Sequence, residues 1–166
     1  MNDIELAWAA GLFEGEGTVR INKPTKRNAG HLVASVVNTD RQITDYFQSR
    51  WPGYMQKASG LDPTRQREAW VWNVAARKVA AFLAAIMPFV VRDAVLERIA
   101  HGLTFQAGKR SSHEARTLEY IEQQWNAYWW MCELNTRGVR KEPLPLRPWN
   151  RDRMLTCIDA DKWRNK

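Results

Sequence analysis

Residues 9–17 read Ala9-Ala10-Gly11-Leu12-Phe13-Glu14-Gly15-Glu16-Gly17 and run directly into Thr18-Val19-Arg20-Ile21-Asn22. Upstream, the segment Ile4 to Phe13 is apolar nearly all round, and Asn2 with Glu5 three residues on forms a capping box, so a buried helix is predicted. The glycines at 15 and 17 close it, with Gly17 at the C′ position. Val19 and Ile21 then alternate with polar residues, the pattern of a strand. Three small residues, Ala7, Gly11 and Gly15, recur every fourth position and make a flat row where a second backbone can come close. A glycine inside a helix costs up to about 1 kcal/mol relative to alanine, so Gly11 needs a packing reason. Two partners suit the row: another helix of the same chain, or the same helix of a second subunit across a two-fold axis.

Glu14 and Glu16 face the negative end of that helix's macrodipole, a clash of roughly 0.3–1 kcal/mol per charge. A cation should compensate. A neighbouring Lys or Arg would serve, and so would a divalent metal, since Mg²⁺ is typically held by one or two carboxylates plus phosphate oxygens. If two subunits meet along the small-residue row, both copies of Glu16 converge near the axis and their repulsion makes a cation close to compulsory.

Downstream, the polar stretch Lys23 to Gly30 and the β-branched run Leu32 to Val37 complete a hairpin with a basic loop. Asp40 to Trp51 is predicted as a helix, capped by Thr39 or Asp40 and ended by Pro52-Gly53. A second strand pair follows, Tyr54 to Lys57 and Arg65 to Val74, with Trp70, Trp72 and Val74 on one face. Ala75 to Met87 is a helix stopped by Pro88, and Val91 to Phe105 another. Ser111 with Glu114 opens a long helix to about Asn135, whose Trp125, Trp129 and Trp130 suit core packing. Residues 1–140 thus form one core with a C-terminal helix, 141–149 a proline-rich linker, and 150–166 a short terminal helix or tail. The class is α+β, ordered αββαββα with extra C-terminal helices.

The chain has 166 residues, 45% hydrophobic and 26% charged, which suits one globular unit and excludes wholesale disorder, collagen and a coiled-coil rod. Its 25 Lys and Arg against 18 acids give a net charge of +7, the footprint of a polyanion partner: nucleic acid first, an acidic membrane surface second. Cys132 and Cys157 lack metal-ligand spacing and are expected to be plain buried thiols. His31, His101 and His113 are too scattered for a metal or nucleophile site; His31 is free to meet DNA, and the other two are expected at the surface or in caps. No stretch of about 18 apolar residues and no signal-peptide pattern is present, so no membrane partner is expected.

The nine-residue segment resembles the signature of the LAGLIDADG homing endonucleases, and the αββαββα order is also that family's, so the resemblance spans roughly Ile4 to Gln106. One motif rather than two resembles the homodimeric branch. The resemblance implies an antiparallel β-saddle and a dimer interface at Ala7, Gly11, Leu12 and Gly15. It implies that the last motif acid, here Glu16 in place of the Asp many members carry, binds the catalytic metal, and that Glu14 is structural. By strand alignment, Asp40, with Asn38 its neighbour, would help order the water near the metal. Arg92, after the proline-containing break, would stabilise charge at the scissile phosphate. The cofactor implied is Mg²⁺ or another divalent cation such as Mn²⁺ or Ca²⁺, with no small-molecule cofactor. The location implied is cytoplasmic, in a bacterial or phage-infected cell, or organelle-encoded.

Strands with one face on helices leave the other free, and here the free residues include Arg20, Asn22, Lys26, His31, Ser35, Tyr54, Gln56, Arg65, Arg67 and Asn73. A solvated sheet would be as polar, but the basic loop carrying Lys23, Lys26 and Arg27 favours DNA, with those three on phosphates. A two-stranded ribbon fits the major groove, where Arg, Asn and Gln pair bidentately with base edges. Val33 and Val37 on the same face would touch thymine methyls or tolerate any base. A two-fold dimer would read a long pseudo-palindrome with half-sites of about 10 base pairs. The expected activity is metal-dependent cleavage of both strands of a specific DNA site. A non-catalytic binder on the same fold, an intron-splicing maturase or a regulator, is the alternative, and a monomer packing its small-residue row internally is a third reading.

Overall fold

A computed structural model describes residues 1–25, 30–58, 67–109 and 117–136. The elements run α1 (Asp3–Glu16), β1 (Gly17–Ile21), β2 (Leu32–Asn38), α2 (Arg41–Arg50), β3 (Tyr54–Lys57), β4 (Trp70–Ala75), α3 (Arg77–Ile86), a 3-10 turn (Met87–Phe89), α4 (Asp93–Ala107) and α5 (Leu118–Leu134). The αββαββα order and the two added helices match the sequence expectation. Lys26, Arg27, Arg65, Ser111, His113, Glu114, Cys157, the linker 141–149 and the tail 150–166 lie outside the described residues.

The four strands form one antiparallel sheet in the order β1-β2-β4-β3. Gly17 pairs with Val36 and Ile21 with Leu32 across β1 and β2; Ser35 pairs with Asn73, and Tyr54 with Asn73 on the far side of β4. The pleat sends Val19, Ile21, Leu32, Ala34, Val36, Trp72 and Val74 to one face, where the helices bury them. Phe47, Trp51, Trp72 and Phe82 pack edge-on or tilted at its centre, with ring centroids 4.9–6.0 Å apart. The Trp72 indole N–H donates to the Trp51 carbonyl at 3.1 Å, which satisfies the one polar atom that ring brings into the core.

Helix α1 begins in the capping box foreseen: Asn2 accepts from the Glu5 N–H, and the Glu5 carboxylate accepts from the Asn2 N–H. It runs three residues further than its apolar pattern, so both acids stand in its last turn. Gly17 caps it in extended conformation and starts β1 directly, without the left-handed turn expected of a C′ glycine. Nor is the helix buried all round. Ala9, Ala10 and Phe13 face the core, while Ile4 is 81% exposed and Trp8, which meets the Tyr46 ring of α2 edge-on on one side, is 46% exposed.

Two further expectations are corrected. The tryptophans of α5 do not all fill the core: the helix rests on α4 and β1 through Tyr120, Gln124 and Met131, leaving Trp129 and Trp130 exposed and Trp125 half-buried. His101 is not a surface or cap residue. Half-buried, it donates from Nε2 to the Ala127 carbonyl at 2.9 Å and ties α4 to α5. Strand β4 starts at Trp70, although Ala58 N–H to Ala69 O, 2.8 Å, carries its pairing with β3 one step further.

Candidate functional site

The free face of the sheet gathers the residues that strand alternation assigned to it. Arg20, Asn22, His31, Tyr54, Gln56 and Asn73 line one open basin of about 390 Å³, together with Val33, Pro52, Gly53, Ala75 and Lys78. No Asp or Glu lines it among the described residues. Arg67 is exposed just ahead of β4, and Lys23 is exposed with its ammonium 5.7 Å from the centre of the Trp125 ring. Ser35 occupies the same face but is only 4% exposed. The Arg20 guanidinium reaches across β2 to the Asn73 side-chain amide oxygen, Nη2 to Oδ1 3.4 Å, and Val33 and Ser35, on the strand between them, are both buried. Val37 remains open at the opposite end of β2.

Lys78 and Lys109 escaped the sequence reading. Lys78 reaches the basin from α3, and Lys109, just beyond α4, lies close enough that its charge acts on His31. Neither belongs to a strand, so alternation carries no signal for them. Burial, then the charges of Lys109 and Arg20, hold His31 below the ordinary histidine range.

At the helix end the two motif acids have separate environments. The Glu14 carboxylate accepts from the backbone N–H groups of Val91 at 2.9 Å and Arg92 at 2.5 Å, which places a negative charge against the positive end of α4. In return the Arg92 guanidinium donates to the Glu14 carbonyl at 3.1 Å, a cation at the negative end of α1. The Lys-or-Arg partner that the helix end required is therefore Arg92, and it serves Glu14. Glu16 is exposed and has no hydrogen-bond or ion-pair partner among the described residues. Its surroundings suit a divalent cation: a free hard-oxygen donor at a helix carboxyl terminus, with no competing cation attached. Among the described residues no three His, Cys, Asp or Glu side chains come together as a metal cluster, so one chain leaves such an ion with positions for ligands from elsewhere.

Asp40 serves as N-cap of α2. One carboxylate oxygen accepts from the Gln42 N–H at 2.9 Å, and the Asp40 N–H donates to the Asn38 side chain at 2.8 Å; no bond occupies its other oxygen among the described residues. Because Gly17 pairs with Val36, the Asn38–Asp40 turn and Glu16 sit at the same end of the sheet. Arg92 joins Glu14 there, so the three residues expected to act together come from the end of α1, the end of β2 and the start of α4.

The small-residue row is on the outside. Ala7, Gly11 and Gly15 are exposed, Leu12 is half-buried, and a Cβ at Gly11 or Gly15 would meet nothing within 4 Å. Among the described residues, none packs against the row at Gly11 or Gly15. Gly17 is the opposite case, since a Cβ there would lie 2.4 Å from both the Phe13 carbonyl oxygen and its ring. Gly17→Ala is expected to cost about 1–3 kcal/mol of folding stability, read from denaturant unfolding.

No family model matches the sequence, and no curated protein matches it. The architecture is that of the homing-endonuclease fold. The archaeal intron-encoded homing endonuclease I-Vdi141I in complex with DNA superposes with a TM-score of 0.67 at 16% identity, over 98% of each chain. The group I intron-encoded homing endonuclease I-CeuI in complex with DNA gives 0.50 at 15% identity, over 64% of this chain and 55% of that one. A double mutant of I-SmaMI gives 0.54 at 12% identity, over 92% of this chain but 49% of that one. The chain therefore spans about half the length of the latter two. No helix among the described residues is long and apolar enough to cross a membrane.

Proposed function

We propose that this protein is a sequence-specific double-strand DNA endonuclease of homing type, acting as a homodimer with a divalent metal. The observation that carries the reading is Glu16: an acid with no partner among the described residues, at the end of a helix whose notched face also lacks one among them. Two such helices meeting at their Gly11 and Gly15 notches bring two Glu16 carboxylates together beside two polar sheet faces. The fold supports this, since I-Vdi141I and I-CeuI are homing endonucleases that bind DNA on the same architecture.

Within the pair, Glu16 of each chain would hold the cation together with phosphate oxygens. When bound, magnesium or another divalent ion neutralises charge at the phosphate and eases departure of the leaving oxygen. Asp40 offers its uncommitted oxygen to a proton of the attacking water. Arg92, held in place by Glu14, turns its remaining N–H groups to charge on the phosphate. The sheet faces select the sequence through Arg20, Asn22, Tyr54, Gln56 and Asn73 in the major groove, while Lys23, Lys26, Arg27 and Arg65 hold phosphates.

Incubating the full chain with a randomised duplex library and Mg²⁺ tests the reading. Cut sites should share a pseudo-palindrome, and chelation should stop cutting. Affinity for a selected site should fall steeply with salt, with a log–log slope of roughly 0.9 per phosphate neutralised. Specific binding with no cleavage under any divalent ion would instead make the protein a non-catalytic binder on this fold. A salt-independent affinity would remove DNA from the reading.

A further inference from the structure

Asn22 and His31 face each other one step beyond the β1–β2 ladder. The Asn22 N–H donates to the His31 carbonyl at 2.9 Å, and the Asn22 amide nitrogen lies 2.9 Å from His31 Nε2. Gly30 permits the placement: its φ is +71°, and a Cβ there would stand 2.7 Å from the Asn22 carbonyl oxygen. An amide nitrogen only donates, so His31 Nε2 accepts and the ring proton sits on Nδ1. Asn22 then keeps its side-chain oxygen and one amide hydrogen for a base. That acceptor and donor match the N6 amino group and N7 of adenine in the major groove.

We propose that His31 sets the base preference of Asn22: with a neutral ring Asn22 selects adenine, and protonation of the ring reverses the amide and removes that preference. The reason is stoichiometric. An imidazolium donates from both nitrogens, so Nε2 then needs an oxygen, and Asn22 supplies one only by turning its amide over. The groove would then meet an amino group alone. The charged and titratable groups around the ring are Arg20 from β1, Lys109 beyond α4, and Lys78 and Tyr54 lining the same basin from α3 and β3. The cations favour the neutral ring in the free protein. DNA phosphates entering the basin offset them, so acidification acts on the bound complex most strongly.

The inference rests on the DNA-binding reading. Its test is selection of bound sequences from a randomised duplex library by the full chain, at about pH 7.5 and again at about pH 5.5. One position per half-site should favour adenine at the higher pH and lose that preference roughly fivefold or more at the lower, the scale of one bidentate contact. In His31→Phe, which cannot titrate, the composition at that position should not change with pH. His31→Gln, a neutral partner with its own oxygen, should likewise be insensitive to pH. Independently of DNA, nitrogen NMR of the free protein should show His31 protonated on Nδ1 at neutral pH. Enriched sites whose composition ignores pH, or changes equally in both variants, or an Nε2-protonated ring, would overturn the proposal while leaving DNA recognition intact. No enrichment at either pH would overturn both.

Discussion

Glu16→Gln should cut metal-dependent cleavage by at least about a hundredfold while specific DNA binding survives. The substitution keeps the length and shape of the side chain and removes only its charge. In the free chain that charge has no partner among the described residues, so its loss breaks no hydrogen bond or ion pair and the fold should be unaffected. A carboxylate that holds a cation against a phosphate acts on developing charge, and removing one such electrostatic contributor typically costs about 10²–10³ in rate. Gel-shift affinity and cleavage rate, measured on the same selected duplex, separate the two effects. Cleavage at the wild-type rate would dismiss Glu16 as metal ligand. Glu14→Gln makes a useful contrast: Glu14 anchors the start of α4, so its loss should lower thermal stability as well as activity.

Substitution at Gly11 should produce opposite effects on the subunit and on the pair. Because no described residue lies within 4 Å of a Cβ at Gly11, Gly11→Ala should stabilise the isolated helix by about 0.8–1 kcal/mol through propensity alone. In a dimer packed through the notch the added methyl would be a steric burden. Gly11→Leu should separate the subunits outright. Overpacking costs typically 1–3 kcal/mol per site, and a two-fold interface counts it twice, so association should weaken by about 2–6 kcal/mol, or roughly thirtyfold to 10⁴-fold. Sedimentation velocity gives the species directly: wild type as a pair, Gly11→Leu as single chains. A wild type that sediments as a monomer, or a Gly11→Leu variant that stays paired, would remove the notch as the interface.

Much of this was legible in the sequence because period and punctuation agreed. In β1 the alternation of Val19 and Ile21 against Thr18, Arg20 and Asn22 fixed which side faces the helices, and the antiparallel pairing carries that assignment onto β2 and hence to the residues that reach the basin. The capping box at Asn2 set the start of α1 within a residue. What could not be read depended on neighbours distant in the chain. Trp125, Trp129 and Trp130 have helical spacing suited to burial, but among the described residues α5 lies mainly on α4 and β1, which leaves Trp129 and Trp130 exposed. Ser35 has the right parity for a groove contact, yet it is buried between its partners Thr18 and Asn73 on the flanking strands, the second 38 residues away in the chain. Glu14 and Glu16 stand two positions apart in a repeated acid-Gly pair; the arrival of Val91 and Arg92 beside the first distinguishes them. Lys78 joins the basin from α3, and Lys109, just beyond α4, acts on His31 from outside the sheet, so strand alternation records neither.

The link between Arg20 and Asn73 also bears on how readily such a protein errs. Two side chains placed to read bases share one 3.4 Å bond at rest, so a base that claims the shared guanidinium hydrogen or amide oxygen competes with that internal contact. A correct sequence returns equivalent bonds, whereas a near match leaves a guanidinium or an amide stranded. Weakening the clasp, for example with Asn73→Ala, would therefore trade fidelity for tolerance.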